Sequence, residues 1–269
     1  MKKTINCKNC NSKFEGNFCN NCGEKVIKDG DFALLKIISQ ALDSITHLDS
    51  KLFKTLKLLL FYPGKLSKLY TEGIRIPYMK PFQIFIILNV IFFFIFSNDD
   101  IFRVPSTYFF QENYDGIKTL EKVRSISKET GLSETEIAIL YDSASNNLAK
   151  GLLVFLIPII ALLGKLFNGK LKMEYGKHLI FSTHFFTFVL SLFVISSLFL
   201  VLTSNDFIKK LILILFGLGI FIYYSLAFKT FYNNSLLFAF IKGISGTFLI
   251  LVLFSIYKML ISVLALYSI

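Results

Sequence analysis

Five long apolar stretches follow residue 80, and they constrain the fold more than any other feature of the chain. A helix needs about 20 predominantly apolar residues to cross the hydrocarbon core of a bilayer. The chain is 54% hydrophobic, and its excess over an average soluble protein is concentrated in these stretches. We therefore expect an all-α integral membrane helical bundle with about five transmembrane helices. The stretches are residues 81–96, 151–167, 179–203, 211–228 and 244–269.

The first stretch, residues 81–96, is the shortest of the five. It approaches the length of a span when Tyr78 and Met79 are added before it. If it crosses the bilayer, the segment at 97–149 lies outside the cytoplasm. If it does not cross, that segment lies on the cytoplasmic side.

The distribution of charge favours the first of these arrangements. Residues 1–80 carry 14 Lys and Arg, whereas acidic residues outnumber basic ones in 97–149. Lys and Arg accumulate on the cytoplasmic side of membrane proteins. We therefore predict a cytoplasmic N-terminus, an extracytoplasmic insert at about 97–149 and, after five spans, an extracytoplasmic C-terminus. The insert is predicted to be helical, with Ser133 and Glu136 forming a capping box.

All four cysteines of the chain lie in its first 22 residues, as Cys7, Cys10, Cys19 and Cys22. Each Cys-x2-Cys pair can present two thiolates to one ion, and four thiolates complete a tetrahedral Zn²⁺ shell. We expect a small N-terminal zinc ribbon with four cysteine ligands over residues 1–28. A shell of four cysteines leaves no open position for a substrate, so the Zn²⁺ is predicted to be structural.

The surroundings of the cysteines favour a metal over disulfides. Residues 1–11 lack the apolar core of a secretory signal peptide, so we expect the thiols to remain in the reducing cytosol. A head of 28 residues is also too small to build an apolar core of its own. Metal binding would then supply its folding energy.

Residues 29–80 are predicted to form an amphipathic juxtamembrane connector between the head and a transmembrane domain at 81–269. Apolar residues recur at near-helical spacing between residues 33 and 48. A second helix follows Asp49, with Lys51, Lys54 and Lys57 on its polar face. Such a basic amphipathic helix either lies on the cytoplasmic membrane surface or packs against the bundle, and both alternatives stay open here.

A few polar residues are candidates for a functional site near the membrane. Charged and polar groups inside a bilayer are costly and often functional. His184 lies within the third apolar stretch, either as a ligand or proton relay or as a histidine hydrogen-bonded to a neighbouring helix. His178 is six residues earlier, so the two side chains point to different faces of a helix and are poor joint ligands. The candidate polar set is Arg75, Tyr78, Glu174, His178 and His184.

Lys258 interrupts the last apolar stretch, 16 residues after Lys242. On one helix the two lysines are about 24 Å apart, so both ammonium groups can reach opposite membrane interfaces. The alternative is an intramembrane cation at Lys258 that lines a substrate path.

A set of residues spread over most of the chain carries a resemblance to a known family. These residues are Phe18–Gly23, Tyr62–Gly64, Tyr70, Gly73, Arg75, Tyr78, Pro81, Pro158–Leu163, His178–Phe185, Tyr224, Ala227, Phe228, Tyr232 and Ser235. Through them the chain resembles the bacterial zinc-ribbon-headed multi-pass membrane proteins that are classed as a domain of unknown function. The resemblance implies an inner-membrane protein with a zinc-binding head and implies no particular reaction. It directs attention to Arg75, Tyr78, His178 and His184, which we predict to cluster near the inner leaflet.

Three functions are compatible with this sequence. The first is a membrane adaptor or assembly factor whose zinc ribbon binds a protein partner. The second is a transporter or lipid-handling protein with a cytoplasmic-side cavity floored by Arg75, His178 and His184. The third is a membrane enzyme, although no nucleophile motif stands out. The sequence does not favour nucleic acid as a partner, because no run of Lys and Arg exceeds two residues. The sequence names no small-molecule substrate.

Overall fold

The computed structural model describes residues 4–27, 51–95, 102–114 and 116–269. The helix predicted between residues 33 and 48 lies outside the described residues. Within them the strands are β1 (Ile5–Asn6) and β2 (Lys13–Phe14), and the α-helices are α1 (Leu52–Phe61), α2 (Lys65–Glu72), α3 (Pro81–Ile95), α4 (Ser106–Phe109), α5 (Thr119–Thr130), α6 (Glu134–Leu152), α7 (Leu156–Phe167), α8 (Tyr175–Val201), α9 (Asp206–Tyr232) and α10 (Leu236–Tyr267). Short 3-10 turns occupy Leu153–Phe155 and Gly169–Leu171.

The chain divides into two compact units. The first unit comprises Met1–Phe92 and Ile157–Thr247, and the second comprises Phe93–Leu156 and Phe248–Ile269. The cysteines and the candidate polar set belong to the first unit, and Lys258 belongs to the second.

Among the described residues, four helical segments are long and apolar enough to cross a membrane: Glu134–Phe167, Tyr175–Leu200, Asp206–Tyr232 and Leu236–Tyr267. The predicted count of five is not matched, because α3 has 15 residues. At about 1.5 Å per residue, this helix is about 22 Å long, less than the roughly 30 Å of a hydrocarbon core. The chain is therefore a multi-pass, membrane-type helical protein, and four helices in the part that the structure describes have the length of a full span.

The helix that carries the second apolar stretch begins much earlier than the stretch itself. It starts at Glu134, and α6 continues through a 3-10 turn into α7. The predicted capping box is confirmed: the Ser133 side chain accepts from the Glu136 N–H, and the Glu136 carboxylate accepts from the Ser133 N–H. The cap fixes the start of the helix at Glu134. The sequence is polar there, so the apolar pattern does not indicate this start.

Helix α3 runs parallel to α8 in the first unit. Phe85 contacts Phe186 with ring centroids 6.0 Å apart, and Phe92 contacts Phe193 at 5.9 Å. Both helices advance by seven residues between the two contacts, so they point in the same direction and keep a constant register. The first residue of α3 is therefore level with the second turn of α8.

A helical hairpin formed by α1 and α2, residues 52–72, packs against α8 and α9. The Tyr223 hydroxyl donates to the carbonyl of Leu59 at 2.6 Å, and Ser67 contacts His184. Tyr223 and His184 are each nine residues from the nearer ends of their helices, which is about 13–14 Å along the axis. The hairpin thus lies beside the helices rather than across their ends, and α1 packs against the bundle.

The second unit has a core of its own. Arg103 pairs with Asp142, and the N–H and hydroxyl of Ser106 also donate to that carboxylate at 3.0 and 2.7 Å. The Tyr257 hydroxyl donates to the carbonyl of Ala149 at 2.7 Å. The buried cluster contains Val104, Phe109, Val123, Ile126, Ile137, Tyr141, Ala265 and Leu266.

Gly64 sits at the tip of the hairpin with φ of +76° and touches α9. A Cβ at this position would lie 2.4 Å from the carbonyl oxygen of Ala227. We expect Gly64→Ala to destabilise the protein by more than about 2 kcal/mol, because it adds a backbone clash to the cost of a left-handed residue. Thermal unfolding of the detergent-purified protein measures the effect.

Gly131→Ala is the matched control for this prediction. Gly131 has φ of +75°, but a Cβ there would meet nothing within 4 Å. It should cost only the conformational strain, about 1 kcal/mol. Equal losses of stability in the two variants would contradict the close approach of Gly64 to α9.

Candidate functional site

The first Cys-x2-Cys turn of the head is closed by backbone hydrogen bonds. The N–H of Cys7 donates to the carbonyl of Ser12 at 2.9 Å, and the N–H of Asn11 donates to the carbonyl of Cys7 at 3.0 Å. Asn11 has φ of 58°, in the left-handed region, which asparagine tolerates better than most residues. The turn joins β1 to β2, which pair antiparallel.

The second Cys-x2-Cys turn repeats this geometry. The N–H of Cys19 donates to the carbonyl of Glu24, and the N–H of Gly23 donates to the carbonyl of Cys19, both at 2.8 Å. Gly23 has φ of 74° and occupies the place that Asn11 has in the first turn. Each turn therefore closes around its first cysteine in the same way and directs two thiols inward.

The four thiols form one cluster that could hold a single metal ion. Their sulfur atoms all lie within 4.8 Å of one another. The sulfurs of Cys7 and Cys22 are 3.5 Å apart, and those of Cys10 and Cys19 are 3.6 Å apart. Four sulfurs at about 2.3 Å from a tetrahedral metal would be about 3.8 Å apart, so the cluster fits such an ion. The same separations are far longer than the roughly 2.05 Å of a disulfide.

Ser12 supports the thiol cluster, and the cysteine spacing gave no sign of this. Its hydroxyl lies 2.9 Å from the sulfur of Cys10 and 3.1 Å from that of Cys19. The hydrogen bond to Ser12 lowers the pKa of the Cys10 thiol to about 6, and it also lowers the pKa of Cys19. Since metals bind the thiolate, the hydroxyl favours the form of these two cysteines that a metal needs.

The head is held against the helical part of the first unit by Glu24. This side chain is 5% exposed, and one of its carboxylate oxygens accepts the N–H groups of Arg75 and Ile76 at 3.0 and 3.1 Å. Gly73, just before them, faces Ile27, whose Cδ1 would be 3.0 Å from a Cβ at that glycine. Hydrogen bonds to a charged acceptor are stronger than neutral ones, so Glu24 fixes the ribbon to the segment that follows α2.

Arg75 contributes to the same junction through Tyr70. Its Nε donates to the carbonyl of Tyr70 at 3.2 Å, and its guanidinium lies 5.5 Å from the centroid of the tyrosine ring. Burial raises the pKa of Tyr70 to about 12. The ring of Tyr70 also packs edge-on against His184, with centroids 6.2 Å apart. The structure therefore links two of the predicted residues, Arg75 and His184, through a third that the sequence did not single out for a site.

His184 is buried between α2 and α8. Its Nδ1 lies 2.9 Å from the hydroxyl of Ser67, and both residues are 2% exposed. Its Nε2 has no hydrogen-bond partner among the described residues. Ser67 was missed by sequence reasoning because it lies in a short helix 117 residues away in the chain.

His178 is buried six residues before His184, against the end of α9. Its Nδ1 lies 2.8 Å from the hydroxyl of Tyr232, and the two rings stack with centroids 5.4 Å apart. Gly164 makes room for this pair, because a Cβ there would lie 2.7 Å from the Tyr232 hydroxyl. The ring of His178 thus pairs with a residue of another helix, at the end of α9.

A polar network lies close to Tyr232, where α7 and α9 end and α10 begins. The ammonium of Lys242 donates to the side-chain oxygens of Asn168 and Asn234 at 3.0 and 3.4 Å. Asn168 in turn donates to the carbonyl of Gly164 at 2.9 Å. Sequence reasoning did not find this network, since two isolated asparagines in loops carry no pattern.

The remaining predicted residues are placed separately. Glu174 is exposed and immediately precedes α8. Tyr78 is half-buried beside α1, where it lines a surface pocket. Lys258 is half-buried on α10, and its carbonyl accepts from Ser262 at 2.9 Å.

Comparison with known proteins identifies one segment. A family model described as a protein of unknown function (DUF3667) matches residues 49–93. The match covers the hairpin, the Arg75 junction and most of α3, and it does not reach the cysteines. No curated protein and no solved structure matches the chain.

We expect the purified full-length protein to contain one tightly bound metal ion per chain. The four thiols offer one complete shell, so Cys19→Ser/Cys22→Ser should reduce the metal content to near zero. Elemental analysis by mass spectrometry gives both the stoichiometry and the identity of the metal. Full metal content in the double variant would show that the cysteines do not form the site.

Glu24→Ala should release the segment that follows α2. The N–H groups of Arg75 and Ile76 lose their acceptor, at a cost of about 1–3 kcal/mol each. We expect faster hydrogen exchange at these two amides while the metal content is unchanged. Glu15→Ala, at an exposed acidic residue of the same ribbon, should leave the exchange as it is. Equal exchange in all three proteins would contradict the role given to Glu24.

Proposed function

We propose that this protein is an adaptor or assembly factor of the bacterial cytoplasmic membrane, with a cytosolic ribbon that binds a protein partner. The ribbon binds a structural Zn²⁺ through Cys7, Cys10, Cys19 and Cys22. Four thiolates in a tetrahedral arrangement favour zinc among the common metal ions and leave no position for catalysis.

The observation that carries this proposal is the attachment of the ribbon by Glu24. A small module fixed by a buried carboxylate presents its surface without the entropic cost of ordering a mobile domain on binding. Phe18, next to Cys19, is 58% exposed. A large exposed aromatic ring on a rigid surface is a typical anchor for a protein partner.

The arrangement of α3 supports five crossings of the membrane, although α3 is short. It runs parallel to α8 and begins level with the second turn of that helix, beside the hairpin. Because α8 is long enough to span, α3 would cross most of the bilayer together with it. The ribbon and residues 168–174 would then share one side of the membrane.

The positive charge of the segments on the side of the ribbon supports the assignment of this side to the cytoplasm. Residues 1–80 carry 14 Lys and Arg, and four lysines lie between 164 and 178. The positive-inside rule places such segments in the cytoplasm. With five crossings, the C-terminus is extracytoplasmic.

The alternative functions receive less support from the geometry. In a transporter or lipid-handling protein, His178 and His184 would face a cavity, but both are buried and bonded to Tyr232 and Ser67. Membrane enzyme chemistry would need an accessible nucleophile. The hydroxyl of Ser67 does contact a histidine, but it is buried between helices.

Crosslinking in native membranes followed by purification tests the adaptor proposal. We expect one near-stoichiometric partner with the wild type. This partner should be lost with Cys19→Ser/Cys22→Ser, which unfolds the ribbon, and with Phe18→Ala, which leaves the metal bound. Quantitative mass spectrometry at matched expression measures the partner.

Phe53→Ala is the matched control, because Phe53 is 80% exposed but lies on α1 rather than on the ribbon. It should retain the partner. Failure to recover any partner from the wild type, or retention of the partner in Phe18→Ala and in the cysteine variant, would overturn the proposal.

A further inference from the structure

A basic pocket of about 320 Å³ opens on the hairpin, apart from the ribbon surface proposed to bind a partner. Three lysines and two tyrosines dominate its lining, and no acidic residue contributes to it. We call it the hairpin pocket. It is lined by Lys54, Lys57, Leu58, Tyr62, Lys65, Pro77 and Tyr78.

The three lysines of the hairpin pocket are exposed and have like charge. Among the described residues, none of them lies within an ion pair, and Lys65 is placed 5.2 Å from the centroid of the Tyr62 ring. Residues 51–80 contain seven Lys and Arg and one acidic residue, so the whole segment has a charge of +6. Such a concave positive surface attracts and concentrates anions.

The walls of the pocket are held in place by buried hydrogen bonds. Thr55, which is 0% exposed, accepts the N–H of Met79 at 2.9 Å and so keeps Tyr78 beside α1. The bond from Tyr223 to Leu59 fixes α1 on α9 at the other side. The lysines therefore project from a pre-formed site and not from a flexible tail.

The depth of the hairpin brings this site to the membrane interface. Its contacts on α8 and α9 lie about 13–14 Å from the ends of helices that are 27 residues, or about 40 Å, long. A hydrocarbon core of about 30 Å leaves roughly 5 Å of such helices outside it on each side, so the backbone contacts of the hairpin lie about 8–9 Å inside the core boundary. From that depth the long side chains of the exposed lysines extend their ammonium groups towards the interface. Phe53 and Phe61, 80% and 73% exposed, offer apolar rings to the adjoining acyl chains.

We infer that the hairpin pocket binds the phosphate group of an anionic phospholipid. Three ammonium groups neutralise the phosphate, and the hydroxyls of Tyr62 and Tyr78 can donate to its oxygens. The neighbouring phenylalanines favour a lipid as the source of the phosphate, because a soluble anion would gain nothing from them. This inference goes beyond the adaptor proposal and does not depend on the metal or on a protein partner.

Native mass spectrometry of the detergent-purified full-length protein tests the inference. Phosphatidylglycerol is titrated into the wild type and into Lys54→Gln/Lys57→Gln/Lys65→Gln, and bound lipid is counted. We expect tenfold weaker binding or more in the triple variant, since each lysine near anionic lipid contributes on the order of 1 kcal/mol. Phosphatidylcholine should bind both proteins weakly and equally.

Two further variants distinguish binding at the hairpin pocket from a general effect of the protein's net charge on lipid binding. Lys128→Gln/Lys172→Gln/Lys210→Gln removes the same charge from exposed lysines elsewhere and should leave binding unchanged. The triple Lys→Arg variant of the pocket keeps its charge and should retain binding. Metal content and circular dichroism verify that each variant is folded.

Competition with inorganic phosphate distinguishes a lipid headgroup from free phosphate as the bound anion. We expect millimolar phosphate to displace phosphatidylglycerol poorly. Strong binding of free phosphate that depends on the same three lysines would overturn the lipid assignment. Equal loss of lipid in the pocket variant and in the distant control variant would overturn the site itself.

Discussion

Polar groups buried among apolar helices must find hydrogen-bond partners within the protein, and this requirement organises the first unit. Tyr223 donates to a hairpin carbonyl that α1 leaves open at its end, and His184 bonds to a hydroxyl on α2. His178 finds Tyr232 in the same way. The hairpin is thus the polar complement of α8 and α9, and the glycine at its tip allows the approach that these bonds need.

The same requirement connects the ribbon to the hairpin. In the segment after α2, the N–H groups of Arg75 and Ile76 both donate to the carboxylate of Glu24 in the ribbon. Glu24 also supplies the carbonyl that closes the second cysteine turn. One residue therefore closes the second cysteine turn through its backbone and forms the junction with the helices through its side chain.

Sequence patterns predicted those features that depend on local composition. Apolar length indicated the spanning helices, cysteine spacing indicated the thiol cluster, and a capping box indicated the start of α6. Apolar length could not show that α6 and α7 form one helix from Glu134, because its first half is polar. The pairing of Ser67 with His184 joins residues 117 positions apart, and Asn11 takes a backbone conformation that only the folded turn requires. Such contacts depend on how the helices are arranged, and no local pattern encodes that arrangement.

The short length of α3 has a consequence for the surrounding lipid. Its 15 residues, about 22 Å, carry exposed apolar side chains such as Val90, whereas α9 in the first unit extends for about 40 Å. A bilayer that borders both helices meets apolar surfaces of unequal length along the membrane normal. Because a bilayer thins locally beside a short apolar helix, the membrane beside α3 would be thinner than the membrane beside α9. The protein would then impose an asymmetric thickness on its own lipid boundary.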